Sequence, residues 1–461
     1  MTDADPASAG SAPPSSAPPS SAPSGPGPLR LLVGFVTGES LIARATVLAI
    51  LALALKIPLG MVGGVVADRQ NYESEAVRSV TMAWGGNQTF SGPMIVLPYQ
   101  RSVDGKFLTQ TLTLLPEKLA IDGKVQPEQR RRGLFSITVY TATLDVVADF
   151  QAKAVRDLLA DGRWMDWPSA HLDLGITDAR SIESTTIEVD GQQLEWTAGS
   201  GPPLASLQVS LKSIGLAERE TITVRFHIAF AGSGWLGFAP FGKRTEVSLV
   251  SAWPSPGFAG RYLPVSQSID KNGFQAKWSI SNLSRRYGQL WDSGTSSEPS
   301  VNGVMESAFG FNLFEPVNAY RETDRAIKYA ILFISLTFGA CILFEMATGT
   351  RPHPAQYGLI GLSLCIFYLL LLSFSEQVGF AMAYLASAAA VVVQATVYNW
   401  AWRRRLGSAL VFGGVLAGLY AGLYGLLQLE DVALMAGSLL LFAVLSLAMW
   451  FTRNLHRRQP A

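Results

Sequence analysis

The chain has 461 residues, of which 49% are hydrophobic and 15% charged, and its 36 Lys and Arg nearly balance its 35 Asp and Glu. This balance excludes a strongly basic nucleic-acid-binding protein, so no nucleic acid is expected as a partner. Soluble domains carry about 25% charged residues. The low charged fraction therefore predicts a membrane protein, with the lipid bilayer as a partner. Two Cys and four His provide no disulfide framework and little material for a metal centre.

Residues 1–28 are rich in Pro, Ser, Ala and Gly, and Asp3 and Asp5 are their only charged residues. A segment with so little apolar surface to bury cannot offset the entropy that it would lose on ordering. It is predicted as a disordered tail.

The first apolar run covers residues 45–66, which is long enough to cross a bilayer as a helix. Arg44 precedes the run, and Asp68 and Arg69 follow it. The alternative is a cleaved signal peptide, but the stretch before the run is long and no clear cleavage site follows it. We predict an uncleaved membrane anchor.

Residues 67–325 alternate polar and apolar side chains. β-branched and aromatic residues concentrate at 133–140, 221–230 and 245–253, and clusters of Gly and Pro separate such runs. This pattern is typical of short strands joined by turns. It predicts a large β-rich, sandwich-like domain, built as one or two subdomains, with one helical interruption at Ala152–Leu159.

Residues 326–452 return to membrane composition, with short connectors between apolar runs. Each run is about 18–23 residues long, which suits a bilayer core. With the anchor they predict six transmembrane helices in a membrane protein of α + β class: one N-terminal anchor and a five-helix C-terminal bundle. Residues 453–461 form a basic tail. The five runs are 326–347, 357–374, 378–400, 407–427 and 432–451.

The short connectors decide the orientation, because Lys and Arg accumulate in cytoplasmic loops. The connectors 375–377 and 428–431 contain no Lys or Arg, whereas the alternate connectors and the C-terminal tail contain seven Arg. Both termini are therefore predicted in the cytoplasm, and residues 67–325 outside it. The seven residues are Arg351, Arg403, Arg404, Arg405, Arg453, Arg457 and Arg458.

Four polar residues fall within or at the ends of predicted spans. Lys56 lies near the middle of the first span, two residues before Pro58, where a lysine costs about 2.5–3.5 kcal/mol on insertion scales. Either Lys56 pairs with a carboxylate such as Glu345 or Glu376, or it snorkels to the surface beside a kink. Glu345 and Glu376 end the second and third spans on opposite membrane faces, which favours separate interfacial carboxylates bonded to neighbours. Gln394, inside the fourth span, is expected to hydrogen-bond across helices.

Gly414, Gly418 and Gly422 recur every four residues in the fifth span. Such spacing places small residues on one helix face, where another helix can approach closely. The three residues are predicted to serve helix packing, either within the bundle or between copies of the chain.

Residues 314–328 join the β-rich domain to the second span. Arg321 and Arg325, and likewise Asp324 and Lys328, have the i,i+4 spacing of neighbours on a helix surface. This predicts a short charged helix at the outer surface. It either transmits the position of the domain to the bundle or is an electrostatically neutral collar.

Enzyme motifs are nearly absent. The chain has no H-E-x-x-H, no G-x-x-x-x-G-K-[ST] and no G-x-S-x-G. Ser268 and Lys271 match the S-x-x-K of penicillin-interacting serine enzymes, but the K-T-G element is missing and one chance match is expected. His353, between two prolines, is expected to cap a turn. We therefore predict a protein that is not an enzyme and has no catalytic, cofactor or metal site.

One long block of sequence is idiosyncratic. It runs from Phe314 to Phe338 and continues through Phe344-Glu345, residues 351–362 and residues 367–376. Together with shorter upstream signatures, this block resembles the CreD family of inner-membrane proteins, also called cell-envelope integrity proteins. The resemblance covers roughly residues 45–450. The upstream signatures are Trp84, Gln88, Gly92-Pro93, Arg132–Phe135 with Val139-Tyr140, and Trp253-Pro254 with Phe258–Gly260.

The resemblance implies a cell inner membrane protein of a Gram-negative bacterium with a large periplasmic domain. It also implies a link to cell envelope integrity and expression under the CreBC two-component system, as part of a stress response to envelope or β-lactam damage. It supplies no catalytic residues. Lys56 departs from the uninterrupted first span expected of the family.

Two functions remain open. In the first, a non-enzymatic envelope protein uses its periplasmic domain to bind a cell-wall component, or a periplasmic or inner-membrane protein partner. In the second, a transporter or lipid-handling protein uses that domain as a gate or acceptor. Lys56, Pro58 and the glycine-rich fifth span motivate the second function.

Overall fold

Helical residues and strand residues segregate along the chain. The computed structural model describes residues 41–103, 106–156, 164–201, 204–295, 297–313, 319–349, 352–429 and 433–452. The chain divides into two units, Val65–Arg321 and the pair of segments Met1–Gly64 and Glu322–Ala461. The predicted disordered tail 1–28 and basic tail 453–461 lie outside the described residues.

Two helices, α1 (Leu41–Ala54) and α2 (Lys56–Trp84), contain the predicted anchor. The prediction that the β-rich region begins at residue 67 is wrong, because α2 continues to Trp84. Ala76, Val80 and Trp84 recur at i,i+4 spacing and form the apolar face of this extension, which packs against Ile137 and Val139 of the sheet.

The C-terminal helices follow the predicted spans closely. They are α5 (Ala319–Lys328), α6 (Ala330–Thr348), α7 (Pro354–Val378), α8 (Phe380–Arg403), α9 (Leu406–Gln428) and α10 (Ala433–Thr452).

Four helical stretches among the described residues are long and apolar enough to cross a membrane: Arg44–Trp84, α7, α8 and α9. The pair α5 and α6 makes a fifth if it counts as one span, although it is bent by 50° where the two helices meet. The second span, predicted as one run from residue 326, is thus interrupted. That the chain crosses the membrane six times remains a prediction.

Aromatic rings fill the interior of the helical unit. The ring centroid of Phe367 on α7 lies 5.3 Å from that of Tyr384 on α8 and 4.7 Å from that of Tyr420 on α9. Phe333 on α6 lies 4.6 Å from Tyr420. Four helices therefore meet around one aromatic group.

The β-rich unit begins at Gln88. Its strands are β1 (Gln88–Val103), β2 (Lys106–Leu114), β3 (Lys118–Arg132), β4 (Phe135–Phe150), β5 (Trp164–Met165), β6 (His171–Ile176), β7 (Ile182–Val189), β8 (Gln192–Leu194), β9 (Thr197–Gly201), β10 (Ala205–Ser210), β11 (Ile222–Ser233), β12 (Trp235–Phe238), β13 (Arg244–Ser251), β14 (Pro256–Gly260), β15 (Ser266–Asp270), β16 (Gly273–Ser281), β17 (Leu290–Asp292) and β18 (Phe309–Leu313). Short helices α3 (Lys153–Arg156) and α4 (Val301–Met305) interrupt them.

The strand predictions at 133–140, 221–230 and 245–253 are confirmed by β4, β11 and β13. The predicted helix at Ala152–Leu159 is present as α3, and residues 157–159 lie outside the described part of the chain.

The strands form two sheets. The eight-stranded sheet has the order β15-β16-β13-β3-β4-β11-β7-β8. The ten-stranded sheet has the order β14-β18-β12-β1-β6-β10-β9, with β2 and β5 also paired to β1 and β17 paired to β2. Two pairs, β1 with β12 and β3 with β13, are parallel.

The two sheets share one continuous core. Phe90 on β1 stacks on Phe226 on β11 at 6.2 Å between ring centroids. Phe274 on β16 meets Phe311 on β18 at 4.9 Å. Because each pair joins one sheet to the other, the β-rich domain is a sandwich, in agreement with its alternating sequence pattern.

One carboxyl group is buried in this sandwich. Asp173 on β6 is 5% exposed, and its Oδ1 lies 3.7 Å from Nε2 of His171 on the same strand. Oδ1 has no hydrogen-bond partner within the described residues. Burial raises the pKa of the Asp173 carboxyl above its usual value, and the charge of His171 offsets only part of that rise.

We expect the substitution Asp173→Asn to stabilise the protein at neutral pH. A raised pKa in the folded state means that this group contributes stability below the usual aspartate pKa, and that the contribution is lost as the pH rises through the folded pKa. The melting temperature of Asp173→Asn should therefore exceed that of the unaltered chain at about pH 7 and match it at about pH 4.

Asp145→Asn is the matched control for this prediction. Asp145 also bonds a histidine, His227, but its side chain is 72% exposed. Thermal unfolding of the full chain in detergent, followed by tryptophan fluorescence, measures both variants. An equal gain for Asp173→Asn at both pH values would contradict the assignment of a buried, ionising Asp173.

Candidate functional site

Glu345, near the end of α6, lies at the centre of a buried polar cluster in the helical unit. It is 7% exposed. Its Oε1 forms an ion pair with Nη1 of Arg44 on α1, and its Oε2 accepts a hydrogen bond of 2.7 Å from the hydroxyl of Tyr357 on α7. We call these three residues the Glu345 cluster. Each comes from a different helix, so the cluster ties α1, α6 and α7 together.

The local sequence explains how the members reach one another. Pro354 starts α7, and His353 caps its first turn by accepting a hydrogen bond at Nδ1 from the backbone of Ala355. Gln356 closes the box by accepting the N–H of His353 at 2.9 Å. The predicted capping role of His353 is confirmed. This cap places Tyr357 in the first turn of α7, beside the last turns of α6.

A second basic residue lies close to the Glu345 cluster. Arg403, the last residue of α8, donates a hydrogen bond of 2.9 Å to the hydroxyl of Thr348, and its guanidinium lies 4.6 Å from the ring centroid of Phe344. Arg403, Asn399 and Tyr357 line a cavity of about 30 Å³. That volume is enough for one water molecule, which needs two or more polar partners.

The electrostatics of the Glu345 cluster indicate that it stabilises the contact between its three helices. A carboxylate inside a helix bundle is costly unless a cation and a hydrogen-bond donor compensate it. Arg44 and Tyr357 supply these two partners. Because Glu345 on α6 is paired with Arg44 on α1 and hydrogen-bonded to Tyr357 on α7, its carboxylate joins three helices.

Sequence reasoning missed Arg44 and Tyr357, although a signal for Arg44 was present. Arg44 and Glu345 both fall at predicted inner ends of spans, so the topology alone places them at one membrane face. The sequence instead suggests Lys56 as the partner of Glu345 or Glu376.

The structure separates Lys56 from both carboxylates. Lys56 is exposed and makes no ion pair or hydrogen bond with any described residue. Its neighbours Leu53 and Ile57 are 66% and 71% exposed, so the surface around it is apolar. This arrangement favours the alternative of a snorkelling lysine beside Pro58, which remains a proposal.

The other predicted polar residues lie apart from the Glu345 cluster. Glu376 is half-buried near the end of α7. Gln394 is exposed and lines a surface groove of about 310 Å³ between α7 and α8. The cross-helix hydrogen bond expected of Gln394 is not formed with any residue that the structure describes.

The glycine stripe of α9 leaves space around it. A Cβ atom built at Gly414, Gly418 or Gly422 would meet no atom of the described residues within 4 Å, and Gly418 and Gly422 line a small cavity together with Phe333 on α6. Close helix approach occurs one residue earlier, at Gly413, where a Cβ would come within 2.2 Å of the Thr396 hydroxyl on α8. A packing role for the three glycines, within the bundle or between copies of the chain, stays a prediction.

The predicted charged helix before the second span is present as α5. Lys328 pairs with Asp324 at 2.7 Å, one turn apart. Thr323 is fully buried, whereas Arg321 on the same helix is exposed and Arg325 is half-buried. Residues 314–318 lie outside the described residues, and a role of α5 in coupling remains a proposal.

An apolar groove of about 590 Å³ lies between α8 and α9. Alanines and the rings of Tyr384, Tyr420 and Tyr424 form much of its wall. The hydroxyl of Tyr384 donates a hydrogen bond of 2.7 Å to the carbonyl of Tyr420, so this polar group is already paired. We call this feature the α8–α9 groove.

We expect Arg44→Leu to lower the melting temperature of the full chain. It leaves the Glu345 carboxylate without its cation, and removal of one partner of a buried ion pair costs about 3–5 kcal/mol in soluble proteins. The double variant Arg44→Leu with Glu345→Leu should recover part of that loss, because neither charge then remains.

Lys56→Leu removes a lysine from the same anchor and serves as the control. Because Lys56 pairs with no described residue, its loss should not lower the melting temperature. Thermal unfolding in detergent compares the variants. A stabilising role of the Glu345 cluster is refuted if Arg44→Leu and Lys56→Leu have the same melting temperature.

Together, the fold and the Glu345 cluster define a polytopic membrane protein that carries a large β-sandwich domain. Comparison with known proteins makes the assignment specific. The family model described as inner membrane protein CreD matches residues 40–457. The chain is also 32% identical over 417 residues to the inner membrane protein CreD of Escherichia coli strain K12, an alignment that covers 87% of this chain and 90% of the relative.

The chain therefore belongs to the CreD family and is an inner membrane protein. The resemblance seen in the sequence is confirmed.

Proposed function

We propose that the β-sandwich of this inner membrane protein lies in the periplasm and binds a partner protein there, without catalysis, in support of envelope integrity under stress. The observation that carries this proposal is an open sheet edge. Strand β15 ends the eight-stranded sheet and pairs only with β16 among the described residues. All five of its residues are exposed.

An open edge strand is a template for another chain. It presents unpaired backbone N–H and C=O groups, and an extended segment of a partner can add to it as a further strand. Backbone hydrogen bonds would supply affinity in such a complex, and side-chain contacts beside the edge would supply specificity.

Exposed apolar side chains lie beside this edge. Leu263 and Val265, just before β15, are 69% and 71% exposed, and Leu283 is 90% exposed. The hydroxyl of Tyr262 donates a hydrogen bond of 2.7 Å to the carbonyl of Ser284, which brings these two loops together. Clustered exposed apolar side chains mark interaction surfaces. We call Leu263, Val265 and Leu283 the apolar rim of β15.

The distribution of positive charge supports the periplasmic location. Seven Arg lie in the connectors and tail assigned to the cytoplasm, and the alternate connectors 375–377 and 428–431 carry no Lys or Arg. By the positive-inside rule both termini lie in the cytoplasm, and the residues between the first two spans lie on the opposite side.

The α8–α9 groove favours a second candidate, a lipid-handling role. Its volume falls in the range of about 300–1,000 Å³ typical of ligand pockets. Lys56 does not line this groove. The variant Lys56→Leu also tests this role. If lipid handling needs Lys56, the variant should fail to support envelope integrity although its melting temperature is unchanged.

We expect a photoactivatable amino acid at Ser268, in the middle of β15, to form a discrete crosslink with one periplasmic or inner-membrane protein in intact cells. The same probe at Ser279, which is exposed on the neighbouring strand β16, is the matched control and should not form it. Mass spectrometry identifies the crosslinked protein.

The double substitution Val265→Ser with Leu283→Ser should abolish the crosslink at Ser268, because it removes the apolar rim of β15 without touching β15 itself. A crosslink that survives this change, or that forms equally at Ser279, argues against binding at the edge. The absence of any crosslink at Ser268 would contradict the proposal.

A further inference from the structure

The hairpin of β3 and β4 ends in a cationic tip. The pair Arg132 and Phe135 closes the hairpin, and Gly133 and Leu134 form the two-residue turn. Gly133 has φ +62, a left-handed conformation that glycine adopts without a steric penalty. Three consecutive arginines, 130–132, precede the turn.

Only one of these three arginines has an assigned partner in the described structure. The guanidinium of Arg130 lies 3.9 Å from the ring centroid of Trp84, and its Nε lies 3.1 Å from Oε1 of Glu128. Arg131 and Arg132 are exposed and form no ion pair with any described residue. Because successive side chains of a strand point to opposite faces, the tip carries a cation on each face.

The turn also exposes an apolar side chain. Leu134 is 66% exposed at the end of the hairpin. Basic side chains that flank an exposed leucine are typical of an element that lies in the interface of a membrane, where the phosphates meet the acyl chains.

The hairpin tip is anchored to the segments that lead into the membrane. The ring of Phe135, next to the turn, lies 6.3 Å from the ring of Tyr320 on α5. Phe135 also packs against the cluster of Ala76, Ile137 and Val139, which includes α2. Tyr320 lies six residues before residue 326, where the second span is predicted to start.

This sequence distance places the tip within reach of lipid headgroups. Six helical residues extend about 9 Å. The headgroup layer adds roughly 5–8 Å to each side of a bilayer core. Arginine side chains are long enough to bridge the remaining few ångströms to the phosphates.

We propose that the β3–β4 hairpin tip binds the phosphates of anionic phospholipids in the adjacent leaflet, with Arg131 and Arg132 as the contacts and Leu134 in the interface. This site is independent of the partner site proposed at β15, so either can fail alone. It would fix how deep the membrane-proximal end of the sandwich lies against the lipid surface.

The test uses the full chain in lipid nanodiscs that contain phosphatidylglycerol with a photoactivatable headgroup. We expect labelling of the hairpin segment 130–136, read by mass spectrometry. Arg131→Gln with Arg132→Gln should reduce that labelling by roughly fivefold or more, the effect expected of at least one arginine near an anionic surface.

Arg261→Gln with Lys271→Gln removes the same charge from exposed positions elsewhere in the sandwich and is the matched control. It should leave labelling of the tip unchanged, and melting temperatures of both variants verify folding. The proposal is overturned if the tip of the unaltered chain is unlabelled. It is equally overturned if a phosphatidylcholine probe labels the tip as strongly, or if both double variants lose the label alike.

Discussion

The structure depends on one constraint, which is that the hydrocarbon core of a bilayer offers no hydrogen bonds to the backbone. Every buried N–H and C=O in that layer must be satisfied within its own helix or in a closed barrel. The open sheets of this chain, with edges at β15 and β8, therefore need water around them. This is why a 461-residue chain separates into apolar helices and one large β-sandwich inserted between the first two predicted spans.

The same constraint explains why the carboxylate of Glu345 needs partners from neighbouring helices. An ionised carboxylate among apolar helices persists only where a cation and a hydrogen-bond donor meet it, and the ion pair with Arg44 and the hydroxyl of Tyr357 do so. Among the described residues, the helices are thus held together by an apolar interior around Phe367 and by the Glu345 cluster. In the sandwich, by contrast, both proposed binding sites lie on the surface, at the edge strand β15 and at the β3–β4 hairpin tip.

Much of this architecture was predictable from sequence, because hydropathy and strand alternation are local signals. The C-terminal helices, the strands β4, β11 and β13, the cap at His353 and the family all follow from runs of neighbouring residues. The extension of α2 to Trp84 did not follow, because its apolar face is only Ala76, Val80 and Trp84 and gains stability from the sheet. The two partners of Glu345 and the close approach of α8 to Gly413 depend on which helices are neighbours in the bundle, and no local sequence pattern encodes that.

The central claim, that the sandwich and the arginine-rich connectors lie on opposite sides of the inner membrane, is open to one direct measurement. Leu283→Cys and Arg405→Cys, each in a chain with Cys341→Ala and Cys365→Ala, can be exposed to a membrane-impermeant maleimide in cells with a permeabilised outer membrane. The account predicts labelling at position 283 in these cells, and at position 405 only after the inner membrane is opened. Labelling at 405 with protection at 283 would contradict it.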